Sequence, residues 1–469
     1  MTDFFVLMKF ELIVTTILFI LLFLKLGKET MKTESLLLLV NALLLINFIS
    51  GFLFNHDGEL FNGMFRTTHT IELEKNILNL GTLVISMQAF AWLKSHRHLL
   101  EFYMLMLSTL IGMFFMISSG NLLMFYLGLE LSTIPLAALC NFDLLKRQSS
   151  EAAMKMIMSS AFSSGLLLFG ISMMYGTTGS LNFSEISQHL DGSPLQVFAF
   201  ILLFTGFAFK MSAVPFHLWT ADVYEGSPVS VTSYLSVISK GAIIFVFVSV
   251  LYTVFKAMGA IWYNMLFLTS VLTMIVGNLF AIRQENLKRF LAFSSIAQVG
   301  FILIGISGSS QMGMASVIYF ILIYIFSNLG AFGVIALVSA HTGKENVYDY
   351  RGFYKTNPFL SWVLTISLFS LAGIPPTAGF FGKFFLLTAG AASHNYLLIT
   401  LAALNMIVAL YYYLRVVRAI FMEKNEEPIE RIHASRISNF ALIICLAGII
   451  LIGFVSDIYN YIYNLSSGL

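Results

Sequence analysis

Residues 195–219 read LQVFAFILLFTGFAFKMSAVPFHLW, and apolar runs of this length recur along the whole chain. A membrane-spanning helix needs about 20 mostly apolar residues. It satisfies its backbone polar groups internally, which lipid demands. Hydrophobic residues make up 58% of the 469 and charged residues 11%, against about 25% charged in soluble proteins. The runs are continuous rather than alternating, which excludes a β-barrel. The expected fold is all-α and polytopic, in a lipid bilayer. A net charge of +2 argues against nucleic acid as a partner.

Cys140 and Cys445 lie at or within apolar helices and read as buried free thiols. There is no CxxC, no ferredoxin-like cysteine run and no strand-linked GxGxxG. The chain is expected to hold no metal, iron–sulfur cluster, flavin or nicotinamide of its own. The first apolar stretch, Phe10–Leu24, follows one lysine and lacks a small-residue cleavage site, so it reads as a span rather than a signal.

Hydropathy predicts fourteen transmembrane helices. The first seven are 6–26, 35–54, 77–93, 99–118, 121–140, 151–176 and 195–219. The last seven are 228–255, 259–282, 287–307, 311–340, 358–392, 395–422 and 437–464. Lysine and arginine follow the odd-numbered helices seventeen times, Lys28 among them, and the even-numbered ones three times, at Arg66, Lys75 and Lys256. That bias puts the odd loops in the cytoplasm and both termini outside. The loop after helix seven carries Asp222, Tyr224 and Glu225 and reads as a solvated turn or a subunit contact. Glu11, Glu101 and Asp457 read as interfacial.

Helix seven contains SAVPFH (Ser212–His217) and helix twelve LAGIPPTAGF (Leu371–Phe380). Each is interrupted by proline and each carries one lysine, Lys210 and Lys383. By the charge bias the two helices run in opposite directions. Two broken helices five apart imply two inverted five-helix repeats, helices 4–8 and 9–13, with an ion site near the midplane. The chain divides accordingly into 1–98, 99–255, 259–422 and 423–469. Proline kinks also serve packing alone, but an intramembrane charge beside each kink argues for function.

Five ionisable residues fall deep in these helices: Glu130, Lys155, Lys210, Lys240 and Lys383. Four cations against one anion cannot all be structural ion pairs. The ten arginines lie in loops or near helix ends. Arginine keeps its proton, whereas a buried lysine can exchange it, so the pattern fits a proton relay. Glu130 is expected to pair with Lys210. Lys155 either joins the relay or snorkels to the surface. His217 either extends the relay or caps the broken helix.

The segments Phe209–Lys240, Asn286–Gly305, Ser327–Ile335 and Ser370–Phe384 carry a resemblance, with YLGLELSTIPL (Tyr126–Leu136) and YGTTGSLNF (Tyr175–Phe183) adding to it. They resemble the antiporter-like membrane subunits of respiratory complex I, the proton-translocating NADH:quinone oxidoreductase. Within that family, the lysine in helix twelve and an end just past helix fourteen, at Leu469, favour the subunit N branch. The resemblance implies that Glu130 and Lys210 are the coupled pair of the first half-channel. It makes Lys240 the central relay lysine, Lys383 the exit of the second half-channel, and Lys155 a match to a lysine often found in the branch. It implies that NADH, FMN, iron–sulfur clusters and quinone are handled by other subunits, with peripheral and antiporter-like neighbours as partners. It also implies the bacterial plasma (inner) membrane, with the termini on the periplasmic side. One departure is Gln298, where the family commonly has histidine. Glutamine hydrogen-bonds but cannot carry a proton as a cation. The alternative reading is a subunit of a multi-subunit sodium/proton antiporter, which shares the fold. A stand-alone substrate transporter ranks last, because the deep polar residues are almost all lysine.

Overall fold

The computed structural model describes residues 2–27, 31–53, 56–392 and 394–468; Lys28 lies outside them. Among the described residues, eleven helices are long and apolar enough to span a membrane. Two further expected spans, Lys9–Leu26 and His69–Gln88, each contain three charged side chains. The twelfth expected helix, 358–392, is two shorter helices, Pro358–Ala372 and Ala378–Ala391. Length and apolarity alone therefore do not yield the count of fourteen. The chain is nonetheless a multi-pass helical membrane protein.

Val229–Thr253, Leu287–Ser307 and Gln311–Thr342 form the enclosed centre, 89%, 100% and 89% buried along their apolar windows. Tyr396–Phe421 and Thr33–Ser50 lie outermost, at 33% and 28%.

Paired local features mark the repeat. Arg147–Thr178 and Gln311–Thr342 are both 32 residues long. Each ends on a left-handed glycine, Gly179 (φ 73°) and Gly343 (φ 70°), where a side chain would be strained. Asn121 bridges Asn182, and Asn286 bridges Asn346. Each leading asparagine also caps a helix, accepting from the amide of Leu123 (2.7 Å) or Lys288 (2.9 Å).

The two breaks match as well. Pro194–Met211 stops at left-handed Ser212 and resumes as Leu218–Gly226; Pro358–Ala372 stops at left-handed Gly373 and resumes as Ala378–Ala391. The peptide bonds Val214–Pro215 and Pro375–Pro376 are cis. The number of residues from Ser212 to Gly373 equals that from Pro215 to Pro376, at 161.

Two expectations at the N-terminal end are overturned. The third helix begins at His69, not 77, capped by the Thr68 hydroxyl accepting from the Ile71 amide (3.3 Å). Its first turns carry charges that a hydropathy reading assigns to a loop. Lys75 is therefore buried, paired with Glu11 at 2.5 Å, and Glu11 is not interfacial. Lys9 pairs with Glu72 at 2.9 Å. A hairpin, Gly58–Leu60 with Phe65–Thr67, precedes this helix, with Glu59 opposite Arg66.

Candidate functional site

Lys210 lies in the last turn before the first break and is buried. Its amine donates to the Thr133 hydroxyl, which in turn donates to the Leu129 carbonyl. Glu130 sits three residues before Thr133 on the same helix face. Among the described residues no ion pair joins Glu130 to Lys210, and Glu130 Oε1 is buried without a hydrogen-bond partner. Thr133 therefore takes the direct contact expected of Glu130.

The broken end is closed by other groups. The Trp219 indole donates to the Phe209 carbonyl (3.1 Å) and stacks on the Phe209 ring. The Val214 amide donates to the Thr273 hydroxyl (3.0 Å), tying the break to the Gly259–Ile282 helix. His217 is buried at the start of Leu218–Gly226, with Nδ1 lacking a partner.

Lys240 follows a π-helical turn, Leu235–Ser239. Such turns inside α-helices recur at functional sites. Its amine donates to the Ser295 hydroxyl (2.7 Å) and lies 5.3 Å from the Tyr224 ring centre. Tyr224 is fully buried, which overturns its reading as part of a solvated turn.

Lys383 reaches back across the second break. It donates to the carbonyls of Leu371 (2.8 Å) and Ala372 (3.2 Å), and sits 4.8 Å from the Phe301 ring centre. These carbonyls end the Pro358–Ala372 helix, where unpaired acceptors and the negative end of the helix dipole favour a cation. Gln298 donates to the same Leu371 carbonyl (2.9 Å) and to the Tyr413 hydroxyl (3.3 Å). Ser294 bonds Tyr413 as well. Ser294, Ser295 and Gln298 occupy one stretch of the enclosed Leu287–Ser307 helix. That stretch joins Lys240, through Ser295, to Lys383, through Gln298 and the Leu371 carbonyl.

Lys155 stands apart. It is 42% exposed and pairs with Glu151 (2.8 Å) and Asp222 (2.7 Å), so it is not enclosed by protein as Lys210, Lys240 and Lys383 are. Its helix starts at Arg147, and its side chain points to the helix surface. Arg289 completes the cluster with Asp222 (2.7 Å) and Glu225 (2.8 Å), which makes that turn an ion-paired junction rather than a merely solvated one. Partial burial works to raise the Asp222 carboxyl, but hydrogen bonds from Lys155 and Arg289 hold it below the ordinary range.

Sequence reasoning missed Thr133, Ser295, Tyr413 and Thr273. Small hydroxyls within spanning helices were the available signal, since such groups bond across helices. Both cysteines are buried and free. Among the described residues no group of three or more His, Cys, Asp or Glu is placed to hold a metal.

Residues 119–408 match the family described as NADH:quinone oxidoreductase/Mrp antiporter, TM. NADH-quinone oxidoreductase subunit N of Phocaeicola vulgatus is 50% identical over 86% of this chain and 86% of its own length. A chain of respiratory complex I from Thermus thermophilus superposes with a TM-score of 0.81 at 26% identity, covering 96% of this chain and 97% of that one. A chain of the Mrp complex from Dietzia superposes at 0.86 but with 19% identity, covering 97% and 96%; that likeness is one of fold alone. The chain thus belongs to the NADH:quinone oxidoreductase/Mrp antiporter family of membrane subunits, on the branch of NADH-quinone oxidoreductase subunit N.

Proposed function

We propose that the chain moves protons across the membrane as the N subunit of an NADH-quinone oxidoreductase, through Glu130, Lys210, Lys240 and Lys383. Electron transfer from NADH to quinone, through FMN and iron–sulfur clusters, belongs to partner subunits. Residues 99–255 and 259–422 form the two half-channels, flanked by three N-terminal helices and one at the C-terminus. The setting is the bacterial plasma membrane, with both termini outside. The observation that carries the reading is the Lys240–Ser295 and Gln298–Leu371–Lys383 linkage along one enclosed helix. A lysine can take and give a proton there, and hydroxyl or amide neighbours can orient water between lysines.

In this reading Lys210 and Glu130 form the first station, with Thr133 holding the lysine amine. Lys240 is the middle station and Lys383 the last. Lys155 serves the ion-paired junction instead, and His217 remains beside the break without a shown contact to Lys210. Exchanger activity is the second reading, favoured only by the superposition on the Mrp chain. The 50% identity to a subunit N outweighs it.

The test is Lys240→Ala in assembled complex in sealed vesicles. NADH-driven proton uptake should fall to about a tenth or less, the scale on which removing a proton-transfer group acts. Wild-type pumping by a correctly assembled variant overturns the relay. Sodium-driven pH changes without NADH would favour the exchanger.

A further inference from the structure

On the outer flank of the helix bundle, Pro358–Ala372 and Tyr396–Phe421 border an apolar groove of about 550 Å³. Trp362, Phe369, Leu414 and Phe421 line it. Several of its residues lie open to the surroundings: Trp362 is 49%, Tyr411 64% and Met422 79% exposed. At the end of Tyr396–Phe421 the groove meets a polar chamber of about 250 Å³, and the two share Tyr411, Arg415, Arg418 and Glu423. The chamber adds Arg351 and Glu285. Three arginines face two carboxylates there.

The arginines are unequally matched. Glu423 serves both Arg351 (2.7 Å) and Arg418 (3.3 Å). Arg415 binds the carbonyls of Ile282 and Gln284, and its Nε is buried without a partner. Among the described residues no carboxylate pairs with it. The chamber therefore keeps one uncompensated positive charge at the mouth of an apolar slot. From Tyr411 to Phe421 the slot runs about 15 Å at the helical rise, half the roughly 30 Å hydrocarbon core and so the depth of one leaflet.

We propose that this is a binding site for one anionic phospholipid, its phosphate among Arg415, Arg418 and Arg351 and an acyl chain along Trp362, Phe369 and Leu414. A zwitterionic lipid fills the same groove but brings a second cation to a chamber that already has one too many. The charge complement selects the headgroup and the groove holds the chain.

The experiment places a benzophenone on Met422→Cys in the whole complex, in bilayers of equal phosphatidylglycerol and phosphatidylcholine. Adducts on this chain are identified by mass spectrometry after illumination. Phosphatidylglycerol adducts should exceed phosphatidylcholine adducts by roughly fivefold or more, since one juxtamembrane basic residue contributes about that factor. Arg415→Gln combined with Arg418→Gln should bring the ratio to about one. Arg418→Gln alone removes a 70% exposed side chain paired only at the surface, with Glu423, and should lower the ratio part of the way. Equal adducts in the unsubstituted complex, a ratio indifferent to both arginines, or adducts to another protein subunit would each overturn the proposal.

Discussion

At the first break the lysine comes before the proline; at the second it comes after. Lys210 precedes Pro215 and points away from its own helix, to Thr133 on the Leu122–Cys140 helix. The broken end it leaves is closed by the Trp219 indole. Lys383 follows Pro376 and folds back on its own broken helix, where it closes the carbonyls of Leu371 and Ala372 itself. The position corresponding to Lys383 in the first repeat, seven residues past the proline, is Asp222. That carboxylate binds Arg289 and Lys155 near the surface. One backbone plan thus carries a buried cation in one copy and a half-exposed anion in the other. The lesson is that the break, not the lysine, is what the repeats share; in the second copy the charge also holds the break together.

The largest contrast should come from removing each lysine. Lys383→Ala leaves the buried Ala372 carbonyl without its donor, at about 1–3 kcal/mol for an unsatisfied group, and leaves the Leu371 carbonyl to Gln298 alone. It should abolish pumping and lower the thermal stability of the complex. Lys210→Ala frees only the Thr133 hydroxyl, which keeps its bond to Leu129. It should lose pumping to a similar degree with the melting temperature little changed. Lys210→Arg should not rescue, because arginine does not release its proton. Equal melting temperatures for the two alanine variants would break the comparison.

Gln298 sharpens it next. Gln298 and Lys383 share the Leu371 carbonyl, so Gln298→Leu removes one of two donors and should cut pumping severalfold while Lys383 keeps the break closed. Gln298→His retains a donor and should be tolerated. A dead Gln298→His complex would show that a neutral amide is required at this point.

Much of this was legible in the chain itself. Proline near lysine, at SAVPFH and at LAGIPPTAGF, located both breaks, because proline interrupts the helical hydrogen bonds and a charge in mid-membrane argues for function. Lys240 stood out for the same reason. The partners were not legible. Thr133, Ser295 and Tyr413 are ordinary residues for a spanning helix, and only the packing of helices distant in sequence brings them to a lysine. Lys155 and Lys75 misled in opposite directions. Hydropathy put Lys155 inside, although its side chain lies on an exposed helix face. It put Lys75 in a loop, although Glu11 from another helix makes its burial tolerable. Window averages register charge and cannot register a partner 64 residues away.

Asp222 offers a smaller effect with a defined pH signature. Its carboxyl is held below the usual 3.8 by Lys155 and Arg289. A depressed acid contributes stability above its unfolded value and loses it as pH falls through the folded one. The junction should therefore be flat between pH 5 and 8, and Asp222→Asn should lower stability by a constant amount across that range. The side chain is 34% exposed, so screening limits the loss to about 1 kcal/mol. A loss that varies with pH in this window would mean that another group titrates at the junction.

The finest test returns to how each break is closed. Trp219→Phe keeps an aromatic ring against Phe209 and removes only the indole N–H, one of two donors to the Phe209 carbonyl; the Ser212 amide (3.0 Å) is the other. That carbonyl is one residue from Lys210 and lies in the last turn of its helix. If the indole merely closes the break, the variant should lose about 1 kcal/mol of stability and pump normally. If the released carbonyl draws the Lys210 amine back, as Leu371 draws Lys383, pumping should fall and Thr133→Val should cause little further loss. The first break would then have been converted to the arrangement of the second, and reduced pumping with restored stability would show that the two arrangements are not interchangeable.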